Sequence, residues 1–385
     1  MKVIKFKSKD VAPVLERVAS IVSSKNSLVA LQNIRIEAIR NEDGTSILSF
    51  MGSNGEVWLS MQAPCMETTL DAPIYVDAKS LSQSFKTLSD KDVSISLDDE
   101  KHTMVCNYGK GVFKLPYLYD MAFPMPPKSQ IEGKGFYEHF MEASRLYAAL
   151  KTVSYASATD IIRKSMNGVH FDFFTDGMVS VATDGQTLAL HKDFTQLSVE
   201  PHDMSLPNDV CVLLSRILPS MEDREVKLKF NASTLVVSGD NFRLDARPVD
   251  ARFVPYENVI PKSSDYVCDV DKEELMVALN HVIPFGTNET ALVVLRFEDH
   301  SLQISAEDYD YQKSASETVA SKHDFQAADF AIGFNGWKFL QVLKEMDCER
   351  VKIGFTTPTQ AALLSSPEKS EYFENIAVLM PMRLI

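Results

Sequence analysis

The chain has 385 residues, enough for two or three domains of ordinary size. With 45% hydrophobic and 24% charged residues, 15 Gly and 17 Pro, it reads as a globular protein and not as a collagen-like or low-complexity chain. Its 39 basic and 53 acidic residues give a net charge of −14, which argues against a protein coated in nucleic acid but leaves room for a local basic surface.

No apolar run of about 18 residues is present, so no membrane-spanning helix is expected. The N-terminal stretch from Met1 to Asp10 alternates charged and apolar residues and does not resemble a secretory signal. Cys65, Cys106, Cys211, Cys268 and Cys348 are scattered with no C-x-x-C spacing. A disulfide framework or zinc ribbon is therefore not expected, and a reducing cytoplasm is.

In chain order, one pattern occurs three times. A helix over 8–25 carries the apolar pair Leu15 and Val18, an alternating strand follows at Ile34 and Ile36, a second helix spans 78–91, and a strand begins at Val93. The next copy has a helix over 141–154 with Leu150 and Val153, a strand at Val169 and Phe171, a helix over 208–220 and a strand at Val226. The last copy has a helix over 271–282 with Leu279 and Val282, a strand at Leu295 and Phe297, a helix over 336–347 and a strand at Val351. Corresponding features lie 125 to 135 residues apart, which indicates three copies of a domain of about 128 residues. Two copies close in similar corners, Asp120 to Pro124 and Asp250 to Pro255. Strands such as Met178–Ala182 alternate with period two, so each sheet is expected to bury one face. A period this long gives each copy its own core, and similar domains joined in line close into a ring if every junction turns by the same angle.

The helical segments together are slightly basic, so the rest of the chain carries all of the net negative charge. Lys9, Arg17, Lys25, Lys86, Lys338 and other helix cations are candidates for a common face, although helix propensity and solubility also favour them. The fifth helix, with Asp271, Glu273 and Glu274, runs against such a face. The usual enzyme signatures are missing: Gly-rich phosphate loops, G-x-S-x-G and H-E-x-x-H. Asp308 and Asp310 could suggest a metal-dependent nuclease, but a short acidic cluster is more often a solvated turn. A non-enzyme is expected, with no catalytic residue, no metal and no cofactor.

Four stretches carry a family likeness: Arg163-Lys-Ser-Met-Asn167-Gly168-Val169, Val181-Ala-Thr183-Asp184-Gly185-Gln-Thr-Leu188-Ala189, Asp250-Ala-Arg252-Phe253 with Tyr256 and Val259-Ile-Pro261-Lys262, and Val378-Leu-Met380-Pro381-Met382-Arg383-Leu384. Together they resemble the bacterial sliding clamp family, the beta subunits of DNA polymerase III, over the whole chain. The resemblance implies an α+β DNA-clamp fold. Three repeated domains, 1–127, 128–257 and 258–385, each have two helices and antiparallel sheets and close as a six-domain ring in a head-to-tail homodimer.

The implied function is a processivity factor that encircles duplex DNA, is opened by a clamp loader, and tethers the replicative polymerase and other proteins through a short peptide motif. The implied peptide pocket uses Met166, Thr183, Gly185, Leu188, Pro255, Val259, Asn335, Val378, Leu379, Met380, Pro381, Met382, Arg383 and Leu384. The implied DNA contacts are Lys25, Arg163 and Lys164. Thr187 and Asn258 stand where basic residues are frequent in the family, Lys338 where an aromatic is common, and Ile385 extends past the usual terminus. A scaffold with no DNA role and a nuclease are the competing readings.

Overall fold

The apolar pairs that mark the repeat in the sequence are core residues in the folded chain. Leu15, Val18, Leu150, Val153, Leu279 and Val282 are each at most 1% exposed. The structure, a computed structural model, describes residues 2–127, 135–160, 162–221, 224–288, 290–298, 300–323, 325 and 330–384.

The first repeat runs β1 (Lys2–Lys7), α1 (Ser8–Ala19), β2 (Asn33–Arg40), β3 (Ser46–Ser53), β4 (Trp58–Cys65), β5 (Glu67–Thr68), β6 (Ile74–Asp77), α2 (Ala78–Lys86), β7 (Asp92–Asp98), β8 (Thr103–Tyr108) and β9 (Gly111–Pro116). The second runs β10 (Tyr137–Glu142), α3 (Ala143–Val153), β11 (Gly168–Phe174), β12 (Gly177–Thr183), β13 (Thr187–Asp193), β14 (His202–Pro207), α4 (Asn208–Ile217), β15 (Glu225–Phe230), β16 (Leu235–Gly239) and β17 (Phe242–Ala246). The third runs β18 (Tyr266–Asp271), α5 (Lys272–Val282), β19 (Leu292–Glu298), β20 (Ser301–Asp308), β21 (Lys313–Lys322), β22 (Ala331–Asn335), α6 (Gly336–Glu345), β23 (Arg350–Phe355), β24 (Ala362–Ser365) and β25 (Phe373–Leu379). The six helices fall where the apolar spacing places them, but α1 stops at Ala19 and Lys25 lies beyond it in a turn.

Local chemistry explains several helix starts. Asp77, Asp271 and Asn335 cap α2, α5 and α6, each accepting a hydrogen bond from the backbone N–H three residues on. Glu273 and Glu274 sit in the first turn of α5, where the positive end of the helix dipole favours them, so their acidity has a local cause.

The chain divides into two compact units, Met1–Leu146 with Val212–Pro248, and Tyr147–Cys211 with Val249–Ile385. The second repeat contributes to both. In unit one, a five-stranded sheet has the order β5-β1-β7-β8-β9, and an eight-stranded sheet has the order β10-β15-β16-β17-β4-β3-β2-β6. In unit two, one twelve-stranded sheet has the order β14-β11-β12-β13-β25-β24-β23-β18-β21-β20-β19-β22. Consecutive repeats are thus joined by strand pairing. β17 pairs with β4, as in Leu244 with Leu59, and β13 pairs with β25 from Thr187–Leu379 to Asp193–Phe373.

The expectation of one buried face per sheet fails at β12, where every residue from Gly177 to Thr183 is buried. Val179 and Val181 face outward but pack with Leu188, Leu190 and Val378 beneath Phe253 and Tyr256. The segment after β17 lies across that face and removes it from water.

Gly168 opens β11 with φ +146°, and an added Cβ would sit 2.0 Å from the Leu206 carbonyl oxygen of the paired β14. Gly168→Ala is expected to cost about 1–3 kcal/mol. Calorimetry should show a melting temperature lower by about 2–4 °C per kcal/mol; an unchanged melt would mean the strand shifts without cost.

Candidate functional site: an apolar cleft in unit two

The cleft is built on the β13–β25 pair. Leu188 and Val378 lie directly opposite each other, 2% and 1% exposed, and share a small core with Val181, Phe253 and Tyr256. Beside this floor stand side chains that remain in water: Val259 is 45% and Met380 39% exposed. Leu188 and Val378 are themselves sealed, so the exposed apolar flanks are what an extended peptide would meet here.

The covering segment is fixed by a polar network. The Tyr256 hydroxyl donates to Asp172 Oδ2 at 2.7 Å, and His170 Nε2 lies 3.3 Å from Asp172 Oδ1. His170 also stacks on Phe253 with ring centroids 4.5 Å apart and approaches the Ser205 hydroxyl at 2.9 Å. Burial alone would raise the Asp172 carboxyl, but the bonds from His170 and Tyr256 outweigh it and hold it below the ordinary carboxylate value. Burial first, then the Asp172 carboxylate, push the Tyr256 hydroxyl up. This network places the helical turn Tyr256–Asn258, which is flanked by Pro255 and Val259, against β11.

The turn between β12 and β13 closes one end of the cleft. Gly185 sits there with φ +86°, and Thr183 Oγ1 accepts from its N–H at 3.0 Å while donating to the Thr187 carbonyl at 2.7 Å. Asp184 Oδ1 accepts from the N–H groups of Gln186 and Thr187, and its other oxygen pairs with Lys338 of α6. Burial works against the Asp184 charge, yet the Lys338 ammonium and the two N–H groups hold its carboxyl below the ordinary value. Arg163 donates to the Asp184 carbonyl at 2.7 Å, drawing the loop that carries Lys164 and Met166 onto the same turn. Thr187 itself faces the opposite side of the strand from Leu188; among the described residues its Oγ1 is a buried oxygen with no hydrogen-bond partner.

The C-terminal run divides in two. Val378 and Leu379 are strand core, whereas Met380 to Leu384 form a tail that crosses the unit. Met380 N–H donates to the Gln186 carbonyl at 2.8 Å, and Met382 N–H to the Gly333 carbonyl of β22 at 2.7 Å. Leu384 packs so near Gly333 that an added Cβ would lie 2.7 Å from its Cδ2. Asn335 lies at the end of β22 and serves as the α6 cap, so it presents Lys338 to Asp184. Arg383 is exposed. Of the three expected DNA contacts, Lys25 and Lys164 are exposed, while Arg163 is engaged on the cleft turn. The residues not singled out in the sequence for this site are Asp184, His170 and Asp172. The departure at Lys338 was visible there, but its partner lies 154 positions away.

Three family models match the chain: the N-terminal domain of the DNA polymerase III beta subunit over residues 3–127, its central domain over 141–255 and its C-terminal domain over 257–383. A beta sliding clamp of Pseudomonas putida is 26% identical over 374 residues, covering 96% of each chain. The structure of the Pseudomonas aeruginosa clamp bound to griselimycin superposes with a TM-score of 0.89 at 24% identity, covering all of both chains. That of the beta subunit from Thermotoga maritima has a TM-score of 0.89 at 19% identity, again covering all of both. Repeated α+β domains joined edge to edge by strand pairing define the class of DNA clamps. The chain belongs to the DNA polymerase III beta subunit family: it is a sliding clamp of DNA replication and a processivity factor without catalysis of its own.

Two outcomes check the polar frame. Because Asp172 and Asp184 are lowered, the folded chain holds fewer protons than the unfolded chain at mildly acid pH. Their stabilising contribution is complete above the unfolded value near 4 and is lost as pH falls through the folded values. In melts from about pH 6 to about pH 2, Lys338→Met should lose less stability on acidification than wild type; parallel profiles would exclude the ion pair as a contributor. Tyr256→Phe should lower stability by about 1.5–3 kcal/mol, the scale of a hydrogen bond to a charged group, and a neutral effect would show that the network does not hold the segment.

Proposed function

We propose that this chain forms a head-to-tail homodimeric ring around duplex DNA. Its cleft would receive peptide segments of the replicative polymerase, the clamp loader and other clamp-binding proteins. One observation carries the assembly. Both junctions inside the chain join equivalent strands: the third strand after the first helix of one repeat, β4 or β13, pairs with the last strand of the next, β17 or β25. The strands left over in those roles are β21 and β9. β9 ends its sheet with Val112 57% exposed, and β21 pairs along its length with β20 but meets β18 only through Lys322 and Ser321. Pairing β21 of one copy with β9 of a second repeats the junction, and doing so twice closes a ring and satisfies both open edges. The division at 1–127, 128–257 and 258–385 follows from the same repeat and is supported by the spans of the three family models.

The DNA-facing residues are Lys25, Arg163 and Lys164. Encirclement supplies persistence, so a few phosphate contacts suffice and no base need be read. The cytoplasm is the compartment that fits: the cysteines form no disulfide, and no helix among the described residues is long and apolar enough to cross a membrane.

Three experiments test this reading. Val112→Glu puts a carboxylate on the β9 edge, opposite a strand that carries Glu317. Light scattering should then report the 43.1 kDa monomer where wild type runs near twice that mass; a dimeric variant would move the interface elsewhere. Reversing charge at Lys25, Arg163 and Lys164 should weaken retention on primed circular DNA and lower the salt slope by about 0.9 per lost contact. The Lys25 and Lys164 pair should do so while leaving the cleft intact; unchanged retention removes these residues from the DNA surface. Deleting Met382 through Ile385, of which Ile385 lies outside the described residues, should leave a dimer melting within several degrees of wild type but unable to bind polymerase-derived peptide. Retained binding would place the peptide site elsewhere, and a collapsed melt would make the tail structural.

A further inference from the structure

A second cavity lies in unit two, near the opposite ends of β25 and α6 from the cleft. Its volume is about 350 Å³, within the range of small-molecule sites. Its walls include the rings of Tyr155 and Phe373 together with Met346, Ile376 and Ala377. Its charged lining is one-sided: Glu345, Asp347, Glu368 and Glu374 against the single Lys369.

Among the described residues, none of these four carboxylates is in an ion pair; two cations of the unit, Lys338 and Arg350, pair instead with Asp184 and Asp269. Nearby Lys272 donates to the Met346 carbonyl at 2.8 Å and turns to backbone instead of carboxylate. Tyr155 packs its ring on the main core of the unit, and among the described residues its hydroxyl has no hydrogen-bond partner. Its titration is pushed up by burial and then by Glu345, so the two groups share one environment.

Asp347, Glu368 and Glu374 are exposed and Glu345 half-buried, so together they repel an anion and attract a cation. Aromatic faces beside carboxylates are the two kinds of group that hold an organic cation, by ring quadrupole and by charge. We infer that this cavity binds a small organic ammonium ion, its apolar body against Phe373 and Tyr155 and its N–H groups on Glu345, Glu374 and the Tyr155 hydroxyl.

The test uses the full-length dimer at low salt, with phenethylamine as the probe and phenylacetate as its anionic counterpart. Protein-observed NMR should show saturable shifts at Tyr155 and Phe373 with the amine and none with phenylacetate. The amine should also slow alkylation of Cys348, which lines the cavity, but not of Cys65 in unit one. Glu345→Gln with Glu374→Gln should weaken the amine about fivefold, the scale of removing two part-exposed charge contacts. Tyr155→Phe, which keeps the ring, should weaken it less. Equal binding of phenylacetate, an unsaturable response, or undiminished binding by the double variant would each overturn the assignment.

Discussion

The rest of the structure depends on the antiparallel backbone ladder between repeats. An edge strand carries a row of N–H and C=O groups that need partners, and the first and second repeats satisfy theirs with the last strand of the repeat that follows. In unit two this ladder runs through seven residue pairs between β13 and β25. It places Leu188 against Val378, and so the small core beneath the candidate site is made by the joint itself. It also fixes where β25 ends, which sends Met380 past Gln186 and Met382 to Gly333. Joint and candidate binding surface therefore share the same strands.

The cleft also owes its shape to a covering problem. The outer face of β12 and β13 is apolar, and the segment after β17 seals part of it with Phe253 and Tyr256. What remains exposed beside it is Val259 and Met380, the apolar flanks of the candidate site. A carboxylate under the seal, Asp172, is tolerated because two donors converge on it. At the other end, Asp184 is tolerated because a turn and an ammonium do the same. Buried charge here fixes geometry more than it adds stability, since desolvation offsets much of the attraction.

The net charge of −14 is distributed with similar economy. Acidic residues at the start of α5 answer the helix dipole. Lys338 is not a surface cation of α6 but a partner to Asp184. Arg163 holds a turn by its carbonyl, which couples the loop bearing Lys164 to the cleft. A count of helix lysines assigns these residues one role, and their neighbours give them others.

By itself the sequence determined the repeat, the six helices, the core pairs and the family, because apolar periodicity and short motifs are local and survive as one-dimensional pattern. Leu15, Leu150 and Leu279 could be read as equivalent before any fold was known, and the Thr183–Leu188 and Val378–Leu384 stretches, marked by family likeness, meet in the folded chain. Tertiary structure alone decided that β12 is buried on both faces, that Lys338 belongs to Asp184, and that Tyr256 is held by Asp172 and His170. It also decided that the second repeat is shared between two compact units. Each of these joins residues far apart in the chain, and burial or charge pairing at such separations leaves no trace in local spacing.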